Sequence, residues 1–362
     1  MPTLLHLIPT LEGGGAERQL AMLAVEQAKR GWNVHIGRRR GGVHEKLVQH
    51  HNVKIHSLGD LKSIHPLLVS RTNKLMKSIR PDIVQTWLPQ MDIVGGLSAL
   101  WNSIPWVISE RSCEDLYQRT LDLIWLRRRL GRYARSIISN SKEGTEYWQG
   151  VLPSHRSVIF INNAVDIKSI QSAEPTSCLT SGNSNKTFLC VGRFEHYKAQ
   201  DIFLQAISEI SRKYEVLAFL IGGGPLLQSL VDSVSTLKLQ DRVTIMPYQS
   251  NWWGLLKTST ALVSPSRLEG QPNVVLEAMA AGCPLIVSDI AAHRAILDDT
   301  SALIVPTNDF IALASAMTAL ISDKEAARKR VERAYERVAE FTIPACVDAH
   351  ERVYAPVLEL GV

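Results

Sequence analysis

Ala261-Leu-Val-Ser-Pro-Ser-Arg-Leu-Glu269-Gly-Gln-Pro-Asn-Val-Val-Leu-Glu277-Ala-Met-Ala-Ala-Gly-Cys-Pro284 sets the reading of the whole chain. Its first residues are apolar and then turn-like, which predicts the end of a buried strand. Gly270 and Pro272 break the chain, and Pro272 suits a first helical turn because its missing N–H would be unpaired there anyway. From Asn273 to Ala281 the pattern is helical, and Gly282 with Pro284 stops it. Val274, Val275, Leu276, Ala278 and Met279 make that helix apolar nearly all round, so it is buried. Glu277 is the exception, and a carboxylate there is costly unless groups donate to it. Glu269 sits eight positions earlier, beside the free N–H groups of a helix start, a place that attracts phosphates. Two readings follow: Glu277 pairs with a core Arg or Lys while Glu269 is solvated, or the two carboxylates and the amide ring hold the hydroxyls and phosphate of a sugar nucleotide.

Working outward, the second half reads as an α/β series. Strands are predicted at Thr187–Gly192, Val216–Ile221, Val243–Pro247, Ala261–Pro265, Leu285–Ser288 and Ala302–Val305. Helices are predicted at Ala199–Arg212, Pro225–Leu237 and Asn251–Thr258, with one long helical run from Asp309 to Phe341 and a tail helix from Ile343 to Leu360. The first half opens with strand Thr3–Ile8, a Gly13-Gly14-Gly15 loop and a helix to Arg30. Strands at Val34–Ile36, Val53–Ser57, Ile83–Trp87, Trp106–Ser109, Ile137–Ser139 and Ser157–Ile161 follow, separated by helical runs. The glycine loop lacks the G-x-G-x-x-G spacing and a following G-K-[ST], so a plain tight turn and a ligand loop are both open. Ser-, Thr- and Pro-rich sequence after Gln171 marks a linker.

A chain of 362 residues is too long for one comfortable core and predicts two domains. The boundaries expected are 1–166 for the first, with 343–362 packing back on it, and 167–342 for the second, with the linker around 167–186. Five cysteines without a C-x-x-C pair argue against a disulfide framework and for a reducing, cytoplasmic compartment. There is no signal-peptide pattern and no apolar run long enough for a membrane span. Up to Asp166 the chain carries 22 Lys/Arg against 14 Asp/Glu, whereas the remainder has 18 against 21. Leu68–Arg80 and Leu116–Arg135 are basic amphipathic stretches, the second holding Trp125 among Arg127, Arg128, Arg129, Arg132 and Arg135. Each is either a solvated basic face or a face for anionic lipid headgroups, and the summed charge favours the lipid. A nucleic-acid role fits poorly without a stacking platform.

Arg193 and Lys198 follow the Thr187 strand at its carboxyl edge, where open α/β sheets bind ligands. Two such cations suit a diphosphate and its leaving-group charge, so no divalent metal is required. Gly222-Gly223-Gly224-Pro225 turns at the same edge after the Val216 strand, suited to a nucleoside lying against the backbone.

Together these residues resemble the retaining GT-B glycosyltransferases of the GT4-type group, which includes many bacterial polysaccharide and lipid-linked oligosaccharide enzymes. Glu269-Gly-Gln-Pro-Asn-Val-Val-Leu-Glu277 matches that group's E-x7-E motif, Gly192-Arg193-x4-Lys198 its diphosphate pair, Gly222-Gly-Gly224-Pro its G-x-G-P turn and Gly13-Gly14-Gly15-Ala16-Glu17-Arg18 its N-terminal loop. The resemblance implies two Rossmann-like doubly wound domains facing a central cleft, the first meeting the acceptor and the second the nucleotide sugar. It implies Arg193, Lys198 and Glu269 as the catalytic set. Glu277, Gly270, Gln271, Pro272, Asn273, Val274, Gly222 and Gly224 would bind a UDP- or GDP-sugar donor. Gly13, Gly14, Gly15 and Arg18 would lie on the acceptor side, with no metal and no cofactor. Many relatives carry a His where this chain has Arg111, so Glu110 or Arg111 is expected to replace it. The Ile-Ser-Glu-Arg-Ser stretch is similar to that of enzymes extending polyprenyl-diphosphate-linked sugars. The implied partners are a nucleotide-sugar donor, a glycan or glycolipid acceptor and the inner face of the cytoplasmic membrane, with no nucleic acid. Sugar-nucleotide epimerases, phosphorylases and a non-catalytic binding protein are the rival readings of the same fold.

Overall fold

The computed structural model describes residues 1–61, 64–111, 121–153, 156–176, 186–249 and 252–359. Two compact units partition the chain: 1–164 with 343–362, and 165–342.

The first unit runs β1 (Thr3–Thr10), α1 (Gly15–Lys29), β2 (Asn33–Arg40), β3 (Val53–Ser57), α2 (Pro66–Ile79), β4 (Ile83–Trp87) and α3 (Leu88–Trp101). It continues through β5 (Trp106–Glu110), α4 (Leu121–Gly131), β6 (Ser136–Ser139), α5 (Lys142–Gln149) and β7 (Ser157–Phe160). All seven strands are parallel in the order β3-β2-β1-β4-β5-β6-β7. β4, β5 and β6 are buried along their whole length, as parallel strands covered on both faces must be.

The second unit contains α6 (Ile167–Ser172), β8 (Lys186–Val191), α7 (Gln200–Ile210), β9 (Val216–Ile221), α8 (Leu227–Thr236), β10 (Val243–Met246) and α9 (Trp253–Leu256). There follow β11 (Ala261–Ser264), α10 (Asn273–Ala281), β12 (Leu285–Ser288), α11 (Ala291–Arg294), β13 (Leu303–Val305), α12 (Phe310–Ser322) and α13 (Lys324–Val338). Its six strands are parallel in the order β10-β9-β8-β11-β12-β13. In each sheet the order reverses at one point, between β1 and β4 and between β8 and β11, and such a switch point opens a crevice at the carboxyl ends of the strands.

The tail helix α14 (Ile343–Glu359) belongs to the first unit. Val347, Val353, Tyr354 and Val357 are buried in that unit's core, and Arg30 meets Asp348 at 2.5 Å and Glu351 at 2.9 Å. Tyr354 Oη donates to Gln85 on β4, so a side-chain network also ties the helix to the sheet.

Three expectations are corrected. The linker begins later than expected, because 167–172 is helical and buries Ile170 in the second unit's core; the stretch 177–185 lies outside the described residues. The run from Asp309 to Phe341 is two helices rather than one. Asp323 separates them, its carboxylate accepting from the Ala326 N–H at 2.9 Å as a cap for α13. The Asn251 helix is a single turn, Trp253–Leu256, and Asn251 itself lies outside the described residues.

Candidate active site

In the second unit, β8 and β11 end side by side at the switch point, and their loops carry the E-x7-E stretch and Lys198. Lys198 closes a single turn of 3-10 helix, His196–Lys198, after β8. Its ammonium donates to Glu269 Oε1 at 2.5 Å, and the Ser266 hydroxyl donates to the same oxygen at 2.8 Å. Burial opposes the Lys198 charge, but the charge and hydrogen bond of Glu269 outweigh it and hold the pKa above the ordinary lysine value. An ammonium has three donors and Glu269 takes one, which leaves the others for a second anion.

Arg267 fixes the loop between β11 and α10. It grips Asp201 of α7 with two hydrogen bonds at 2.7 and 3.1 Å, donates to the His196 carbonyl and reaches Asn308. One guanidinium therefore ties the loop that carries Glu269 to the turn that carries Lys198, a bidentate arrangement that lysine could not reproduce.

Pro272 is the N-cap of α10 and has no side-chain acceptor to offer it, and a helix start of this kind attracts anions. Gln271 and Pro272 are buried while Gly270 is part-exposed. Two turns on, Glu277 is 5% exposed and accepts from the Trp253 indole of α9 at 3.0 Å.

Arg193 and Lys198, both expected to meet a diphosphate, differ in setting. The Arg193 side chain is 66% exposed and turned to Glu195 at 3.1 Å, against 17% for Lys198. Gly222 and Gly224 serve the architecture first. A Cβ on Gly222 would lie 1.9 Å from the Gly192 carbonyl oxygen, and one on Gly224 would lie 2.6 Å from that of Phe194. The Phe194 N–H in turn donates to the Gly223 carbonyl at 2.9 Å, so the loops after β8 and β9 interlock through their backbones.

Sequence reading missed Trp253 and His293. His293, on α11, is fully buried; Nδ1 is 2.8 Å from the Ser288 carbonyl and Nε2 is 3.2 Å from the Ser264 hydroxyl. Burial lowers its pKa, with the Glu269 charge opposing and Lys198 assisting. It fastens the ends of β11 and β12 behind the Lys198–Glu269 pair. The Trp252-Trp253 doublet and a lone His just past a strand were the only signals.

In the first unit Gly14 is the N-cap of α1, and the Glu17 carboxylate folds back beside it while accepting from Thr10 at 2.9 Å. Gly13 and Gly14 hold the buried His44 ring through their backbone. Burial and the charge of Arg18, itself buried, bring that ring's pKa down to about 4. Gln19 fastens α1 to the backbone of Ala164 by hydrogen bonds of 2.7 and 2.8 Å.

Glu110, expected on the acceptor side, is turned into the core. It is fully buried, accepts from the Trp148 indole at 2.8 Å and pairs with Arg127 at 2.8 Å, while Arg127 also meets Asp92 at 2.7 Å. Two carboxylates share one guanidinium in the core. Burial therefore pushes Asp92 up to about 6 despite Arg127, with Glu110 adding to the rise. Arg127, counted from sequence on the basic face of the Leu116–Arg135 stretch, is inside; 116–120 and Ser112 lie outside the described residues.

Among the described residues no group of three or more His, Cys, Asp or Glu side chains converges as metal ligands, and no helix is long and apolar enough to cross a membrane.

Comparison with known proteins agrees with this architecture. Residues 13–169 match the family model described as Glycosyltransferase Family 4, and residues 179–337 match that of Glycosyl transferases group 1. The chain is 26% identical, over 93% of its length and 94% of the relative's, to the GalNAc-alpha-(1->4)-GalNAc-alpha-(1->3)-diNAcBac-PP-undecaprenol alpha-1,4-N-acetyl-D-galactosaminyltransferase of Campylobacter jejuni. It is 28% identical over 174 residues to the alpha-D-kanosaminyltransferase of Streptomyces kanamyceticus, 47% of this chain and 45% of that relative. Several such matches are partial, spanning about half to under two thirds of the relatives' own length. In structure, Anabaena Alr3699/HepE in complex with UDP and glucose superposes with a TM-score of 0.85 at 16% identity, over 98% of this chain and 100% of that one.

Proposed function

Since the chain belongs to the GT4-type glycosyltransferases and has their two-unit GT-B fold, we propose that it transfers a hexose from a nucleotide diphosphate sugar to a glycan or lipid-linked saccharide with retention of configuration. The observation that carries this reading is the Lys198–Glu269 pair at 2.5 Å, set at a switch point beside the Pro272 helix start. The α10 amides and the spare Lys198 donors bind the diphosphate, Arg193 swings in from solvent to add charge, and Glu277 holds ribose hydroxyls against Trp253. Glu269, held by Lys198 and Ser266, presents its second oxygen to the transferred sugar.

Charge then grows on the leaving diphosphate, where Lys198, Arg193 and the helix start stabilise it without a metal ion. Retention proceeds by front-face attack, the leaving phosphate taking the acceptor's proton. The acceptor meets the Gly13–Gly15 loop and Arg18 of the first unit. A lipid-linked acceptor accords with the basic charge of that unit and with peripheral attachment to an anionic membrane from the cytoplasmic side. The relative from Campylobacter is named for an undecaprenol-linked substrate, which supports the acceptor class.

Transfer from radiolabelled UDP- and GDP-sugars to a prenyl-diphosphate saccharide tests the site. Lys198→Ala and Glu277→Ala each lose roughly 100-fold or more in kcat, the scale of removing a donor from developing charge. Full activity in either variant removes that residue from the site.

A further inference from the structure

Arg111 follows β5 directly, at the carboxyl edge of the first sheet. Its guanidinium carbon lies 4.4 Å from the centre of the Trp87 ring, and one N–H donates to Asn163 Oδ1 at 3.0 Å. Asn163 accepts a second bond at 3.1 Å from Asn140, which fixes the amide. Trp87 ends β4, Asn140 follows β6 and Asn163 follows β7, so four consecutive strands deliver this group to one edge.

Among the described residues, no carboxylate forms an ion pair with Arg111. Arg38, Arg39 and Arg127 meet carboxylates at 2.6, 3.3 and 2.7 Å, whereas Arg111 forms no ion pair among the described residues and its Nε–H is buried without a partner. Its sequence neighbour Glu110 is turned into the core toward Arg127. Burial brings the guanidinium down to about 10, and the charge of Arg111 helps to hold the buried rings of His6 and His350 neutral. Among the described residues, Trp87 and Asn163 touch it and His6, His350, Cys346 and Tyr354 lie near it, while the Glu110 charge acts on it only from its pairing with Arg127. A largely buried guanidinium that forms no ion pair among the described residues is costly to keep, and a ligand anion would complete it.

We propose that Arg111 binds a phosphoryl group of a substrate, the guanidinium lying on the Trp87 ring and its fork gripping two phosphate oxygens. The proposal rests on the transferase reading, in which two substrates carry phosphate: the nucleotide of the donor and the lipid diphosphate of the acceptor.

Calorimetric titration of wild type, Arg111→Gln and Arg111→Lys with UDP, GDP and geranyl diphosphate, alongside thermal melts, separates the two sources. Arg111→Gln weakens binding of one class of probe at least tenfold without lowering the melting temperature, since it removes a buried charge that forms no ion pair among the described residues. Loss on the nucleotide titrations assigns the donor phosphate, and loss on the prenyl titration assigns the acceptor phosphate. Arg111→Lys recovers part of the loss, keeping the charge but not the fork. Affinities within twofold of wild type for every probe overturn the proposal, and a lowered melting temperature with intact affinities makes Arg111 a packing residue instead. If wild type binds no probe, the transferase reading falls as well; if it binds and Arg111→Gln changes nothing, only this assignment falls.

Discussion

A methyl group at Gly222 meets a backbone oxygen at 1.9 Å, whereas one at Gly223 meets nothing within 4 Å. Gly222 also sits at φ +155°, a conformation L side chains rarely adopt. Gly222→Ala therefore costs about 3 kcal/mol, the sum of overpacking and a disfavoured backbone, and lowers the melting temperature by roughly 8 °C. Gly223→Ala leaves it unchanged. Equal melts for the two variants would contradict the interlocked loops. From sequence only the resemblance set Gly222 and Gly224 apart from Gly223, since composition says that a turn is needed but not which atom faces a neighbour. The same limit applied at Arg193 and Lys198. Both were legible as cations at a sheet edge, yet only tertiary contacts separate an exposed arginine from a lysine locked to Glu269.

Helices were readable where their apolar period was regular, and misread where a charge served the interior. α4 was recognised as basic, but its Arg127 is the centre of the Asp92–Arg127–Glu110 cluster. What remains outside is still suited to a lipid surface. Trp125 is 60% exposed beside exposed Arg128 and Arg129, Tyr133 is 64% exposed beside Arg132, and Trp101 at the end of the adjoining α3 is 78% exposed. Exposed aromatics among arginines match the headgroup region of an anionic bilayer. The chain is expected to sediment with phosphatidylglycerol vesicles and to be released by salt. At about 1 kcal/mol per basic residue, replacing Arg128, Arg129 and Arg132 by Gln weakens binding on the order of 100-fold. Sedimentation unaffected by salt or by these changes would exclude this face.

Over the whole first unit, buried histidines govern the response to acid. His6 is held at about 4 and His350 at about 3, both chiefly by burial and with Arg111 adding to each. Unfolded histidines take protons near 6.5, so the folded state binds fewer protons below that pH. The stability these rings contribute is fully present above pH 6.5 and is lost as pH falls toward 4. Asp92 acts in the opposite sense, because its raised pKa makes the folded state the better proton binder between about 4 and 6. Two histidines shifted by more than two pH units outweigh one aspartate shifted by about two, so the melting temperature drops between pH 7 and pH 4.5. His6→Gln flattens that drop, and a flat profile in wild type would contradict the shifts.

The strands of the described residues, the two-unit plan and the E-x7-E loop were legible in sequence alone, because they follow from chain length and local patterns of apolar period and chain breakers. Which charges meet was decided only by the tertiary structure. Glu110 turning inward to Arg127, Lys198 meeting Glu269 and Trp253 meeting Glu277 depend on residues up to 71 positions apart in the chain. An ionic contact is fixed by where strands end in space, and nothing in the spacing of residues along one strand records its partner.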